Sequence, residues 1–290
     1  SENKLTLNYS KTKLKNEGVA FSDTFKINVE PFGGDATCVK FMDDKLLIFK
    51  KNNIYVMSGA GPTDTGAQND FSVPELVPSD VGCPYPRSLV LMPDGVMFKS
   101  YKGIYLINRS LTVSYIGADV EAYNSQNIVS AELMETKNQV RFLTDSGLSL
   151  VYDYYFGQWS TFTNHEGLDA DNWKGLYVYL KDTGEVYKEA PSYYKDKNSA
   201  FKLRIATAWL KFSGIQGFQR IRKFSVLGNY ASSHILKVSL GYDYESFYQY
   251  QVLFNAGNIM QTNTYGDDVT YGDSTPYGGV DSGVYQFRAH

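Results

Sequence analysis

Residues 139–154 read QVRFLTDSGLSLVYDY, two apolar stretches joined by a polar turn. Apolar and polar residues alternate on both sides of the turn, and a period of two is typical of β-strands. Gly147 lies in the turn, where glycine adopts a positive φ without the strain that a Cβ would cause. The stretch therefore predicts an antiparallel hairpin. The fold class that the sequence predicts depends on whether this hairpin recurs along the chain.

The same order of strand, polar turn, Gly or Asn, and second strand is found in three other segments. These are LLIFKKNNIYVM (46–57), GVMFKSYKGIYLI (95–107) and LYVYLKDTGEVYKEA (176–190). The four turn residues, separated by 50, 44 and 37 positions, are Asn53, Gly103, Gly147 and Gly184. An aromatic residue lies four or five positions before each of them: Phe49, Phe98, Phe142 and Tyr179. This recurrence indicates one repeated structural unit.

Flanking strands complete the repeated unit. The candidates are RSLVLM (87–92), LTVSYIG (111–117), IVSAELM (128–134) and WSTF (159–162). About four strands in roughly 40–50 residues is the period of β-propeller blades. A meander of unrelated hairpins is the alternative interpretation.

The chain divides into three predicted regions. Residues 1–36 are interpreted as a remnant of an upstream blade, and residues 37–194 as β-propeller blades, incomplete or few in number. Residues 195–290 have longer alternating strands, at 201–212, 218–230, 234–244 and 247–254, which indicate a β-sandwich-like domain. Residues 58–86 form a long loop expected to project from the blades, and loops of this length are usually functional or ordered by a partner.

Composition limits the classes of function. The net charge of −3 gives no overall basic field that would attract nucleic acid. The two cysteines, Cys38 and Cys83, are expected to be buried free thiols in a reducing compartment. No leader or long apolar run is present, so neither a signal peptide nor a membrane span is predicted. Because the chain starts without Met and stops after a strand-like stretch, we expect it to be part of a longer protein.

Residues with catalytic potential are few. His165 is expected to be a surface-loop histidine, and the acidic stretch at 169–172 a polar loop between strands, because it lacks the spacing of a calcium loop. Nothing orients the nearby carboxylates Asp153, Glu166, Asp169 and Asp171 as an acid–base pair. We therefore predict no catalytic, cofactor-binding or metal site, and no enzyme.

The aromatic stretch YDYYFGQWSTF (152–162) is compatible with a sugar-binding platform or with ordinary packing. Its position in the repeat favours packing, as the outer hairpin of the third blade with its turn at 156–158. Trp159 and Phe162 are then expected to pack against the strand that contains Tyr152 and Tyr154.

Five segments have a texture that is shared with one family: LLIFKKNNIYVMSGAGPTDTG (46–66), PDGVMFKSYKGIYLINRSLTVSYIGADVEAYN (93–124), KNQVRFLT (137–144), LVYDYYFGQWSTFTNH (150–165) and YGDSTPYGG (271–279). They resemble the tail hub, or nozzle, proteins of short-tailed bacteriophages, also called packaged-DNA stabilisation or tail tubular proteins. The resemblance covers roughly residues 37–290 and has no catalytic signature. Members of the family are larger, so the chain would be their C-terminal part.

The resemblance implies a structural virion protein of the phage tail, assembled in the cytoplasm of the host bacterium. It implies a β-propeller with further β-rich domains, a closed ring of identical subunits, commonly a hexamer, and contacts with the portal, the adaptor and other tail proteins. The ring retains double-stranded DNA, and the DNA later passes through it without sequence-specific recognition. No cofactor is implied.

Subunit contacts are predicted at two places in the C-terminal region. Tyr265, Tyr271 and Tyr277 begin three short Tyr-Gly repeats, and tyrosine buries area at interfaces while it keeps a polar tip. Arg220 and Arg222 share one strand face that can meet an acidic partner or a phosphate, or simply face solvent.

Two other functions are compatible with the sequence. One is a glycan-binding or glycan-cleaving β-propeller of a phage or bacterial surface system, with Trp159, Trp173 and the nearby carboxylates as its site. The other is a propeller scaffold that docks a partner protein through residues 58–86.

Overall fold

The computed structural model describes residues 5–191, 193, 195–196, 200–211, 224–227, 235–255 and 284–287. The described residues are mostly β-structure, in several small antiparallel sheets with a few short 3₁₀ helices. The chain separates into two compact units, Ser1–Phe201 and Lys202–His290. None of the helices in the described part is long and apolar enough to cross a membrane.

The described residues of the first unit form five antiparallel sheets. Sheet 1 has β1 (Thr6–Ser10) and β2 (Phe21–Asn28). Sheet 2 has β3 (Ala36–Met42), β4 (Lys45–Lys50), β5 (Ile54–Ser58) and β6 (Glu75–Leu76). Sheet 3 has β7 (Val90–Met92), β8 (Gly95–Ser100), β9 (Gly103–Asn108) and β10 (Val113–Tyr115). Sheet 4 has β11 (Ile128–Met134), β12 (Gln139–Thr144), β13 (Ser149–Asp153) and β14 (Gln158–Phe162). Sheet 5 has β15 (Asp169–Trp173), β16 (Leu176–Leu180) and β17 (Val186–Lys188). The 3₁₀ helices are Pro86–Ser88, Ala118–Tyr123 and Glu135–Lys137.

Each of these sheets is a meander in which strands adjacent in sequence pair in antiparallel fashion. The four predicted hairpins are confirmed as β4–β5, β8–β9, β12–β13 and β16–β17. Sheets 2, 3 and 4 each have four strands, as the repeat predicted, and sheet 5 has three.

Apolar clusters join the sheets in sequence order. Ile48 and Tyr55 of sheet 2 pack with residues of sheet 1. A second cluster, which includes Phe49 and Phe98, joins sheets 2 and 3. A third cluster, which includes Met97 and Phe142, joins sheets 3 and 4. A fourth cluster, Met134, Leu143, Ala170 and Tyr177, joins sheets 4 and 5. Sheets 2, 3 and 4 are therefore covered on both faces, each by its neighbours in the chain.

The spacing between aromatic and turn residue determines which sheet the aromatic contacts. Phe98 lies five positions before its turn glycine and packs toward sheet 2, whereas Phe49 lies four positions before Asn53 and packs toward sheet 3. A shift of one residue reverses the face of a strand on which a side chain lies. The two rings consequently meet in the same interface, with centroids 5.1 Å apart.

The predicted positive φ is found at three of the four turn residues: Gly103 at 123°, Gly147 at 79° and Gly184 at 81°. The prediction was wrong for Asn53, which is not among the residues of positive φ. Its side chain has a packing role instead, because Nδ2 donates to the Ser79 carbonyl at 3.4 Å and Oδ1 fills the space where a Cβ on Gly33 would lie.

A buried lysine follows the phenylalanine in both of the first two hairpins. Lys50 Nζ donates to the carbonyls of Glu30 and Phe32 and lies 5.2 Å from the centroid of a tyrosine ring. Lys99 Nζ donates to the Gln126 carbonyl and lies 5.0 Å from the centroid of another tyrosine ring. Burial lowers the pKa of both lysines. The repeat thus includes a Phe-Lys pair in which the ammonium ties the hairpin to neighbouring backbone.

The long loop at 58–86 does not project as a whole, so that prediction was wrong for its second half. Val77, Val81 and Cys83 are buried in the core between sheets 2 and 3. Gly82 approaches the β4–β5 turn so closely that a Cβ would lie 2.2 Å from the Lys50 carbonyl oxygen. Apolar residues spaced through a polar loop were the signal that this segment returns to the core.

The aromatic stretch at 152–162 forms the predicted hairpin, with Gly157 at a φ of 66°. Trp159 packs as predicted: its ring centroid lies 4.9 Å from that of Tyr152, and its Nε1 donates to the Ile116 carbonyl at 2.8 Å. Phe162 lies on the opposite face, 5.3 Å from the Arg141 guanidinium, because residues three apart on a strand point to opposite sides.

The second unit has two described two-stranded sheets. β18 (Phe224–Leu227) pairs with β21 (Val284–Phe287), and β19 (Ile235–Leu240) pairs with β20 (Tyr250–Asn255). The strand predicted at 201–212 was wrong for residues 201–211, which are exposed and outside any strand. An alternating pattern forms a strand only where a second strand satisfies its backbone groups.

Candidate functional site

A cavity of about 550 Å³ is lined by the first strands of four consecutive sheets, β3, β7, β11 and β15. Its lining residues are Lys40, Leu89, Val90, Leu91, Ala131, Glu132, Leu133, Glu135, Asn172, Lys174 and Gly175. The first strand of each of these four sheets lies on the same side of the stack of sheets, and the cavity is formed between these first strands. The cavity therefore results from the repeat itself.

Glu132 is the most strongly perturbed carboxyl group of the cavity. Burial, reinforced by the negative charges of Asp171 and Asp169, raises its pKa to about 7, and the charge of Lys40 opposes this shift. A carboxyl group with such a pKa is partly protonated near neutral pH, so it both donates and accepts hydrogen bonds. The cavity can consequently bind polar groups and exchange a proton with them.

Sequence reasoning did not identify this site. Glu132 is a single charge within the apolar strand IVSAELM, and Lys40 is a single charge within ATCVKFM. A lone charge on an apolar strand is the signal that was available. The neighbours that perturb Glu132 come from separate sheets, and their proximity is visible only in the folded chain.

Asp169 and Asp171 lie in a strand and not in the predicted polar loop, so that prediction was wrong. The segment forms β15, in which Ala170 is buried against sheet 4 and its carbonyl accepts a hydrogen bond from Ser130 Oγ at 3.1 Å. Asp and Asn have low strand propensity, but pairing with β16 and contact with β11 outweigh that preference.

Replacing Glu132 by glutamine is expected to stabilise the protein at alkaline pH. The ionised carboxylate is disfavoured in the folded cavity, so the folded state binds more protons than the unfolded chain between the ordinary carboxyl pKa and about 7, and stability falls as pH rises through this range. After allowance for solvent contact, E132Q should gain about 1–2 kcal/mol in the free energy of unfolding at about pH 8. Urea unfolding monitored by tryptophan fluorescence measures this gain.

The gain of E132Q over wild type should shrink as the pH falls toward about 5, where Glu132 is protonated in the folded state. The exposed Glu17→Gln variant removes one negative charge elsewhere and serves as the matched control. A gain that stays constant across this pH range would show that the Glu132 pKa is not raised.

His165 lies in a loop, as predicted, but it is half-buried, so the prediction was wrong for its exposure. Its Nδ1 lies 2.8 Å from the Oγ of the buried Ser149, and its ring stacks at 5.2 Å from that of Tyr179. Burial and the nearby charge of Arg141 lower the pKa of His165. The buried position of Ser149 makes this Ser–His contact a packing interaction, since a nucleophile needs access to its substrate.

Arg141, whose charge acts on His165, is the centre of a polar and aromatic cluster between sheets 4 and 5. It is buried, its Nη1 lies 3.2 Å from Glu189 Oε2, and its guanidinium carbon lies 4.9 Å from the Tyr177 ring centroid. Burial raises the pKa of Tyr177 to about 12. Arg141 of sheet 4 thus contacts Tyr177 of sheet 5 and Glu189, which follows sheet 5 in the chain. These contacts add to the apolar cluster that joins the two sheets.

The four carboxylates that the sequence brought into consideration do not form one site. Asp153 Oδ1 accepts from the backbone N–H groups of Tyr155 and Phe156, each at 3.0 Å, and so fixes the β13–β14 turn. Glu166 Oε2 lies 3.5 Å from Lys181 Nζ. Asp169 and Asp171 lie on β15, and their charges help to raise the pKa of Glu132.

The five predicted interface residues, Tyr265, Tyr271, Tyr277, Arg220 and Arg222, lie outside the described residues. Of the two tryptophans considered for glycan binding, Trp159 is half-buried, and Trp173 is 59% exposed beside the cavity. Within the described ranges, no group of three or more His, Cys, Asp or Glu side chains is arranged to hold a metal ion.

In comparisons with known proteins, no family model and no curated protein matches the chain.

Proposed function

We propose that the protein is a structural component of a bacteriophage tail or neck, part of a ring of identical subunits that retains packaged DNA and conducts it during ejection. The observation that carries this proposal is the row of repeated four-stranded meanders, each packed face to face on the next. Such a row of sheets is compatible with the β-propeller that the resemblance to tail hub proteins implies. The portal, the adaptor and other tail proteins would be its partners.

The proposed fold of the first unit is a β-propeller, with sheets 2–5 as blades. In a propeller each blade packs on the preceding and following blades, and the first strands of the blades surround a central channel. The successive apolar clusters and the cavity between β3, β7, β11 and β15 support this interpretation. The second unit would be the β-sandwich-like domain.

Sheet 5 supports the view that the row of sheets continues. β16 reads LYVYL, and a continuous apolar strand is typical of burial on both faces. Its tyrosines pack toward sheet 4. On the other face Leu180 is exposed, together with Val186 (68% exposed) and Trp173. Another sheet or a neighbouring subunit would cover these side chains in the assembled ring.

The charge of the chain is compatible with a conduit for DNA. Non-specific affinity for DNA comes mainly from lysine and arginine side chains that neutralise phosphates. The chain has 28 such residues against 31 acidic ones, so it would hold a passing duplex only weakly. DNA would then be a passenger and not a sequence-specific ligand.

Immunogold labelling of purified virions tests the proposed function. Antibodies against the chain should label the tail vertex of intact or osmotically opened particles, and preimmune serum should not. Label that is confined to host cell debris, with none on particles in which mass spectrometry detects the other tail proteins, would refute a role in the virion.

A glycan-cleaving propeller is the second candidate, and the raised pKa of Glu132 favours it. Glycosidases use one protonated carboxyl group and one carboxylate. Glu132 lines the cavity, and the charge of Asp171, which precedes the cavity residue Asn172 on β15, influences the pKa of Glu132. Host-surface polysaccharides incubated with wild type, E132Q and D171N would be assayed for new reducing ends. Release by wild type that both variants abolish would support this candidate, and no release by wild type would exclude it for the glycans tested.

A further inference from the structure

The two cysteines lie together beside the end of β4. Cys38 of β3 pairs with Phe49 of β4, and the Cys83 N–H donates to the carbonyl of the next residue, Lys50, at 2.8 Å. Thr37 Oγ1 lies 3.6 Å from Cys38 Sγ and donates to the Cys83 carbonyl at 2.5 Å. The Cys38 side chain packs against the apolar cluster that contains Cys83.

Solvent access differs between the two thiols. Cys83 is completely buried, and Cys38 is half-buried on the first strand of its sheet. Hydrogen bonding to Cys83 lowers the pKa of Cys38, whereas hydrogen bonding to Cys38 and burial raise the pKa of Cys83. A thiolate is the reactive form in disulfide exchange, so a reagent from solvent should attack through Cys38.

We propose that Cys38 and Cys83 are a redox pair that closes to an intramolecular disulfide under oxidation by a small disulfide such as oxidised glutathione. The Cys38 thiolate attacks one sulfur of the oxidant, whose S–S bond breaks, and the departing thiolate takes up the Cys38 proton. Cys83 then attacks the Cys38 sulfur of this mixed disulfide and releases the second glutathione, which takes up the Cys83 proton. Two protein thiols lose two electrons, and the oxidant becomes two thiols.

The disulfide would join β3 to the loop segment that returns to the core at 77–83. It would close a loop of 46 residues, and such a cross-link stabilises a fold mainly by restricting the unfolded chain. The pairing itself does not depend on the proposed function. Under that function, passage from the reducing bacterial cytoplasm to oxidising surroundings would supply the change of conditions.

Oxidation of the intact chain with oxidised glutathione, followed by alkylation under denaturing conditions, tests the pair. Wild type should have no thiol left to alkylate, a mass lower by about 2 Da, and no bound glutathione. Its melting temperature should rise by roughly 5–10 °C and return to the starting value after reduction. Two thiols that remain open to alkylation, or a mixed disulfide that does not close, would overturn the proposal.

Single substitutions separate the two roles. Cys83→Ser should retain one glutathione on Cys38, and Cys38→Ser should leave the buried Cys83 unmodified. If either variant fails to fold, native wild type treated briefly with iodoacetamide gives the same information, because Cys38 should react before Cys83. Equal rates of alkylation at both positions would contradict the proposed order of attack.

Discussion

Replacing Phe142 by alanine should lower the free energy of unfolding by roughly 3–5 kcal/mol, the usual cost of truncating a buried phenylalanine. Phe142 is fully buried, and its ring lies between sheets 3 and 4, 6.1 Å from that of Trp159. Truncation leaves a cavity in the contact that joins two repeated sheets. Urea denaturation monitored by circular dichroism measures the loss.

Phe156 provides the matched control for this substitution. It lies in the β13–β14 turn of the same sheet and is 70% exposed, so Phe156→Ala should change the free energy of unfolding by less than about 0.5 kcal/mol. A loss below about 1 kcal/mol for F142A would mean that Phe142 is exposed and that the packing of sheet 3 on sheet 4 is wrong.

Replacing the neighbouring Arg141 by alanine should cost about 3 kcal/mol for a different reason. Arg141 is buried on the opposite face of β12, where Gln139 and Glu189 accept its hydrogen bonds and two aromatic rings contact its guanidinium. Its removal leaves the half-buried Glu189 carboxylate with less compensation and removes the stem that packs between the rings. Urea denaturation again measures the effect.

Lys137 is the control for Arg141, because it binds the same carboxylate from a more exposed position, with Nζ 2.5 Å from Glu189 Oε1. Lys137→Ala should cost less than about 1 kcal/mol, as is usual for ion pairs near the surface. Arg141→Lys should lose most of the stability that the alanine variant loses, because an ammonium cannot reproduce the planar contacts of a guanidinium. Equal effects of K137A and R141A would show that the charge alone matters.

The hairpins could be predicted because their information is local. Gly103, Gly147 and Gly184 mark turns that need positive φ, and the alternation on both sides marks the paired strands. Asn53 fits the same pattern in sequence but takes another conformation, because its side chain fills the space beside Gly33. Local propensity is here overruled by a contact with a residue 20 positions away.

The cavity and the disposition of the loop could not be predicted, because both depend on contacts between distant segments. Burial raises the pKa of Glu132, and the charges of Asp171 and Lys40 that modify this pKa come from other sheets. The strand β15 is polar, and it forms because it pairs with β16 and contacts β11. Cys83 enters the core through a loop whose polar composition indicated a projection.

A cryo-electron microscopy reconstruction of the virion whose genome encodes this chain tests the central proposal most directly. We expect density for the chain in a closed ring at the tail vertex, with sheets 2–5 as consecutive blades and a covered outer face on sheet 5. DNA density, if retained, should run along the axis of the ring. A tail in which every ring is accounted for by other proteins would contradict the account.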